Sequence, residues 1–250
     1  MKIRAFLLSI LCLMVLPLTS CTASDHKYIS DKDVLVIGIT ADYKPMNFLD
    51  TEGNWTGFDT EFAEAVCENL GLEAKFETIF WDKRVDELKS KKIDCIWNGY
   101  TINKIDEVDF TDAYALNSQV FVTKLENKEN YKTVESINGL TVAVEKGGAS
   151  KNIINELELN VEMLEYSSQK EALIAVSDGR ADGCIVDKVI YNSLVHSDLA
   201  LSVYLNTENF GIGFREGSDM VELVNEQIEV LKRNGTLSRL ADKYDLELAY

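Results

Sequence analysis

The strongest constraint on the fold is a pattern that occurs twice: a short run of uninterrupted apolar residues, a glycine-bearing loop, then a helical stripe. Val34-Leu35-Val36-Ile37-Gly38-Ile39 is the first such run, and Leu140-Thr141-Val142-Ala143-Val144 repeats its character in the middle of the chain. Strands that are apolar on both faces belong in a sheet covered on both sides by helices. The first unit continues into a helix over 60–69 whose apolar positions Phe62, Val66 and Leu70 share a face, with Asp59 placed as its N-cap. The second continues into helices ending near Leu157 and over 168–178, the latter burying Ala172, Leu173 and Val176. Two α/β lobes fit this recurrence better than one barrel. The C-terminal part is helical over 220–234 and 237–244, with an Asn234-Gly235 turn between.

Candidate chemistry collects where these strands end. In residues 94–115 an apolar strand ends at Ile96-Trp97, and Asn98-Gly99-Tyr100-Thr101 reads as a turn. That turn either holds an anion or amide through its backbone N–H groups and the Thr101 hydroxyl, or simply connects. The loop over 40–48 follows the first strand, with Pro45 excluding a central strand there. Trp81 falls at the end of the strand over 73–80 and either packs as core or faces a ligand. Gly147-Gly148 lets backbone amides approach a ligand at a helix start, or serves as a flexible capping turn. Cys184-Ile185-Val186 ends at Asp187, which accepts hydrogen bonds from an ammonium group or caps the helix starting near Lys188.

Met1-Lys2-Ile3-Arg4, an apolar run over 5–18 and Thr19-Ser20-Cys21 have the layout of an export signal. The run is too short for a comfortable membrane span, which needs roughly 20 apolar residues. Leu18-Thr19-Ser20-Cys21 resembles the bacterial lipobox, which implies lipid attachment at Cys21, a polar tether over 22–32 and a body outside the cytoplasm, anchored to a bacterial membrane. The whole chain carries a net charge of −17, and removal of Lys2 and Arg4 with the signal makes it more negative. Such a surface argues against nucleic acid or anionic lipid as the main partner. Cys67, Cys95 and Cys184 sit in apolar patterns and are expected as buried free thiols. No spacing suggests a metal site, no dinucleotide fingerprint or nucleophile elbow is present, and no cofactor is expected.

Residues 35–48 (LVIGITADYKPMNF), Gly57-Phe58-Asp59-Thr60-Glu61-Phe62-Ala63, 97–101 followed by Val108-Asp109-Phe110-Thr111, 139–147, Gly179-Arg180-Ala181-Asp182 through Val186-Asp187, and Gly211-Ile212-Gly213-Phe214-Arg215 with Asn234-Gly235-Thr236-Leu237 occur in an order similar to the extracellular solute-binding proteins of family 3. These are amino-acid receptors of ABC importers. The resemblance implies a two-lobed α/β periplasmic-binding-protein-like fold of type II with two crossover strands. It divides the chain into a lipoprotein signal (1–20), a tether (21–32), the first part of lobe 1 (33–118), lobe 2 (119–211) and a return to lobe 1 (212–250). It also implies a monomer that closes on a small ligand like a hinge and presents the closed form to permease subunits. By position, Tyr43 and Trp81 resemble aromatic walls of the cleft, Gly99 and its neighbour Tyr100 offer backbone contacts, and Thr101 offers a hydroxyl. Gly148 and Ala149 occupy the helix start that meets a carboxylate, and Asp187 matches the acid that holds the α-ammonium. Thr40 stands at a position that is often acidic in receptors for basic amino acids, which argues against a lysine, arginine or histidine ligand.

The main departure from the family follows Thr101. Members usually carry Thr-Pro-Glu-Arg there, whose arginine clamps the ligand carboxylate, whereas this chain has no arginine between Thr101 and Phe110. Lys104 either substitutes as a point charge or faces solvent. Three readings stay open: a receptor for a neutral or polar amino acid, a receptor for a ligand that is not a standard α-amino acid, and an enzyme on the same lobes resembling the cyclohexadienyl dehydratases. Asp187 and Glu145 are the acids an elimination would draw on, without an evident paired partner.

Overall fold

The computed structural model describes residues 24–105, 107–194 and 197–250. The lipidation candidate Cys21 and the leader lie outside them.

A short helix α1 (Asp25–Ser30) leads into β1 (Val34–Ile39), followed by a small three-stranded antiparallel sheet of β2 (Asp42–Tyr43), β3 (Asn47–Leu49) and β4 (Trp55–Thr56). Next come α2 (Phe58–Leu70), β5 (Glu73–Thr78), a 3₁₀ turn at Trp81–Lys83, α3 (Arg84–Lys89), β6 (Cys95–Thr101), β7 (Val108–Phe110) and β8 (Ala115–Asn117). The second unit holds β9 (Gln119–Lys124), β10 (Thr141–Glu145), α4 (Ser150–Glu156), β11 (Glu162–Tyr166), α5 (Gln169–Ser177), β12 (Gly183–Asp187), α6 (Lys188–Ser193) and β13 (Leu199–Tyr204). Two 3₁₀ turns, Leu125–Asn130 and Val134–Ile137, fill the polar excursion between β9 and β10. β14 (Glu208–Arg215), α7 (Met220–Arg233) and α8 (Thr236–Tyr244) complete the chain.

Two sheets result, which gives a two-lobed α/β fold. One is six-stranded, ordered β5-β1-β6-β14-β7 with β8 also on β14; the other is five-stranded, ordered β11-β10-β12-β9-β13. In each, three parallel strands built by crossovers meet antiparallel strands from the connecting segments. The central strands β6, β9 and β12 are buried almost throughout, while the edge strands β5 and β11 alternate in exposure. Largely apolar runs thus mark central strands, with Asn98, Gln119, Thr123 and Asp187 as buried polar residues within them, and mixed runs mark edges. β8 ends and β9 begins across the single residue Ser118, so the chain passes from one sheet to the other there and returns at β14. The helices α7 and α8 pack on α2, against the first sheet. Cys67, Cys95 and Cys184 are buried free thiols.

Two local readings are corrected. Residues 98–101 form no turn: β6 continues through Asn98, Gly99 and Tyr100 to Thr101, with Gly99 at φ +52°. And α2 begins at Phe58 after Gly57, so Asp59 sits inside its first turn, fully buried, instead of capping it. A β-carbon on Gly57 would lie 2.2 Å from the Met46 carbonyl oxygen, so the chain enters the helix where only glycine fits.

Candidate functional site

The carboxyl ends of β1, β6, β10 and β12 converge on a seam between the two sheets. The seam encloses a small cavity of about 20 Å³ lined by Thr40, Tyr43, Trp81, Asn98, Gly99 and Thr101 on one side and Glu145, Ala149, Gln169 and Asp187 on the other. That is room for about one water, far below the roughly 300 Å³ or more of a small-molecule pocket. The lobes must part before a ligand can enter.

Asp187 is the centre of the site. It ends β12, is 4% exposed, and stands at the N-cap of α6, although its side chain makes no capping bond there. Its Oδ1 accepts from Asn117 Nδ2 at 2.7 Å and from Gln119 Nε2; its Oδ2 accepts from Gln169 Nε2 and the Tyr43 hydroxyl, both at 2.5 Å. Gln169 also accepts the Asp187 amide at 2.7 Å. Gln119 is the direct antiparallel partner of Asp187, so strand register alone brings them together. Glu208 lies behind, accepting from Asn117 at 2.6 Å and from Gln119 at 3.0 Å. Burial and the charge of Asp187 hold the Glu208 carboxyl well above the usual range. Glu145, at the end of β10, is pushed up to about 8 by the same two causes, opposed by Gln169 and Arg84.

Tyr43 comes from the opposite lobe. Its ring is 6% exposed and passes over Gly99, where a β-carbon would lie 2.6 Å from Tyr43 Cε1. Further bonds cross the seam: Lys146 Nζ to Asp82 Oδ2 at 2.8 Å, Lys170 Nζ to Asp42 Oδ2 at 3.5 Å, and Ser193 Oγ to the Lys44 carbonyl oxygen at 2.9 Å.

On the first lobe, Thr40 donates its amide to Asn98 Oδ1 at 2.9 Å, and Asn98 Nδ2 donates to Thr40 Oγ1 at 3.0 Å. Asn47 donates to the same Asn98 oxygen and is itself held by Thr60. The Gly99 amide donates to Asp59 Oδ2 at 2.7 Å, so it is engaged behind the strand and faces no ligand. Burial pushes Asp59 up to about 7 against the pull of that amide. Thr101 lines the cavity, and its hydroxyl has no partner among the described residues.

Other expected residues fall elsewhere. Tyr100 points away from the cavity into the core, 2% exposed, edge-on to Trp81 at 5.1 Å and to Phe110 at 4.8 Å. Trp81 both lines the cavity and packs on Tyr100. Gly148 does not line the cavity, and its amide donates to the Glu145 carbonyl oxygen at 3.1 Å; Ala149 does line it. Lys104 is exposed and has no ion pair among the described residues, nor does it border the cavity. Sequence reasoning missed Asn117, Gln119, Gln169 and Glu208, and took Asn98 for part of a turn without assigning its side chain a role. A larger groove of about 860 Å³ is lined by Leu116–Ser118, Lys188, Thr207 and the C-terminal residues 243–247; Asp187 does not line it, although its partner Asn117 does.

Residues 35–247 match the bacterial extracellular solute-binding proteins, family 3. Among curated relatives, the L-cystine-binding protein TcyJ of Escherichia coli (strain K12) is 27% identical over 86% of this chain and 84% of its own length. The L-arginine-binding protein of Pseudomonas aeruginosa is 30% identical over 87% of this chain and 89% of its own. Among solved structures, a mutant of ArgBP from T. maritima superposes with a TM-score of 0.82 at 30% identity, covering 88% of this chain and 98% of that one. The ancestral amino acid-binding protein AncCDT-1, a precursor of cyclohexadienyl dehydratase, gives the same score and identity over 89% and 99%. With two crossover-linked sheets, a seam built at their strand ends and a match over nearly its whole described length, this chain belongs to the bacterial extracellular solute-binding proteins, family 3.

Proposed function

We propose that this protein captures a small amino acid between its lobes, outside the cytoplasm, and delivers it to the permease of an ABC importer. The observation that carries the reading is the Asp187 carboxylate, buried at the seam and oriented by Asn117, Gln119 and Gln169, with the Tyr43 hydroxyl from the other lobe as its remaining partner. An α-ammonium that replaces the Tyr43 hydroxyl at Oδ2 supplies a charge-assisted bond in its stead. Thr101 and the Thr40–Asn98 pair offer polar contacts, and Trp81 and Tyr43 supply flat apolar walls. Lipid attachment at Cys21 keeps the receptor beside the membrane.

Three acids, Asp187, Glu145 and Glu208, crowd this end of the seam. A ligand with a net positive charge or a second amine relieves that repulsion, and an acidic amino acid adds to it. Thr40 supplies no further acid, so Glu145 is the group that meets a second cation. Relatives named for L-cystine and L-arginine are consistent with ligands of this kind.

Calorimetry and thermal shift against L-arginine, L-lysine, L-histidine, L-cystine, L-glutamine and L-glutamate test the reading. At least one of the first five is expected to bind with a micromolar or lower Kd, and L-glutamate is expected not to bind. Silence from all of them at millimolar concentration overturns it, and turnover of a prephenate-like acid replaces it with the enzyme reading.

A further inference from the structure

Arg84 opens α3, and its placement has no structural use that accounts for all of it. The guanidinium carbon lies 4.5 Å from the centre of the Trp81 ring and 4.9 Å from that of Tyr100, so it rests against the corner formed by two rings that meet edge-on. Nη1 donates to the Trp81 carbonyl oxygen at 2.7 Å, while the buried Nε has no hydrogen-bond partner among the described residues. No described carboxylate lies within ion-pair distance of it. A fixed, charged group with an unmet buried donor is arranged for an anion that arrives from outside.

Its position says where that anion comes from. A β-carbon on Gly147 of the facing lobe would lie 3.5 Å from Arg84 Nη1 and 3.0 Å from the Asp82 Cα, so Arg84 stands at the seam. Its neighbour Trp81 lines the cavity, and its charge is felt by Glu145, which lines it from the other side. When the lobes part, Gly147 and Glu145 withdraw and the guanidinium fronts the cleft. The cavity-lining residues are acids and neutral groups; Arg84 is not one of them, but it packs on the lining residue Trp81 and its charge reaches the lining residue Glu145.

We propose that Arg84 binds the carboxylate of the captured ligand, delivering from the start of α3 the guanidinium that the segment after β6 lacks. This rests on the amino-acid reading above. The ligand is then a zwitterion, held through its amine by Asp187 and through its carboxylate by Arg84, with Trp81 and Tyr100 presenting the planar fork for bidentate contact. Lys104, exposed and not among the cavity-lining residues, takes no part.

The test compares amino acids with their decarboxylated counterparts: L-arginine with agmatine, L-lysine with cadaverine, L-histidine with histamine, and L-cystine with cystamine. Calorimetry on the wild-type chain is expected to show at least a thirtyfold preference for the acid-bearing member of whichever pair binds. Arg84→Gln is expected to reduce that preference to threefold or less while leaving the amine's affinity within about threefold, and Arg84→Lys to restore part of it. Circular dichroism and unfolding midpoints identify a variant that has lost its fold, in which case Arg84→Lys alone decides by whether the preference shrinks. A preference that survives both substitutions overturns the proposal, as does equal binding of amine and amino acid to the wild type, which leaves amine capture standing. No binding by any of the eight overturns this proposal, and silence from L-glutamine as well overturns the amino-acid reading with it.

Discussion

Tyr43 and Asp187, 144 residues apart, meet across the seam with the phenol oxygen 2.5 Å from Oδ2. A hydrogen bond to an ionised group contributes about 1.5–3 kcal/mol, so this contact favours the shut arrangement and occupies the oxygen that an incoming ammonium needs. Tyr43→Phe is expected to shift the lobes toward the open form, seen as a larger radius of gyration by small-angle scattering. An unchanged scattering profile would show that the remaining cross-lobe bonds suffice.

Removing the charge at Asp187 tests recognition directly. Asp187→Asn keeps the shape but leaves the ligand ammonium facing a neutral amide. Loss of one partner of a buried charged pair costs about 2–5 kcal/mol, so affinity is expected to fall by roughly thirtyfold or more in calorimetry. A change under threefold would place the amine elsewhere.

Gly99→Ala is expected to be harmful twice over. The residue sits at φ +52° inside β6, where an L side chain costs roughly 1–2 kcal/mol, and its new methyl would press 2.6 Å from the Tyr43 ring. Both a lower unfolding midpoint and weaker ligand binding are expected. Loss of stability with unaltered binding would mean that Tyr43 is not needed where it stands.

The buried acids give stability a definite pH dependence. Glu145 near 8 and Asp59 near 7 hold protons in the folded chain that the unfolded chain releases near pH 4 to 5. Between those values the unfolded state binds fewer protons, so stability falls as pH rises from about 4.5 toward 8. Urea midpoints are expected to drop over that range, and Glu145→Gln to shallow the drop. Equal slopes for variant and wild type would show that Glu145 is ionised in the fold.

Lys104→Ala is expected to leave ligand affinity within about twofold, since the side chain is exposed and does not border the cavity. A tenfold loss, about 1.4 kcal/mol, would return the carboxylate-binding role to it.

The sequence shows the strands that matter most because burial on both faces leaves no polar interruption: β1 and β12 are legible as apolar runs, and Asp187 as the acid that ends one. Residues 98–101 are misread for the converse reason. Asn98 and Gly99 have the composition of a turn, yet they lie in a buried strand because Asn47, Thr40 and Asp59 satisfy their polar groups from distant parts of the chain. No local window contains those partners. The amides around Asp187 escape notice similarly: Asn117, Gln119 and Gln169 come from β8, β9 and the start of α5 and acquire meaning only when the sheets assemble. The missing arginine after Thr101 is plain in the sequence, whereas Arg84 becomes visible only once Gly147 lies against it.

The passage of the chain between sheets has a mechanical consequence. Asn117 and Gln119 flank Ser118, where the polypeptide leaves one sheet for the other, and Glu208 begins the strand that returns. All three tie directly into the hydrogen-bonded group around Asp187. If the lobes rotate about this crossing, as the proposed function requires, the acid sits close to the pivot and Lys146 and Gly147 farther from it. On the proposed reading, a ligand anchors its amine at Asp187 while the jaws are wide, in place of the Tyr43 hydroxyl, and gains its remaining contacts as the outer parts swing in. Docking and closing are thereby separated into an early step of capture and a later step of commitment.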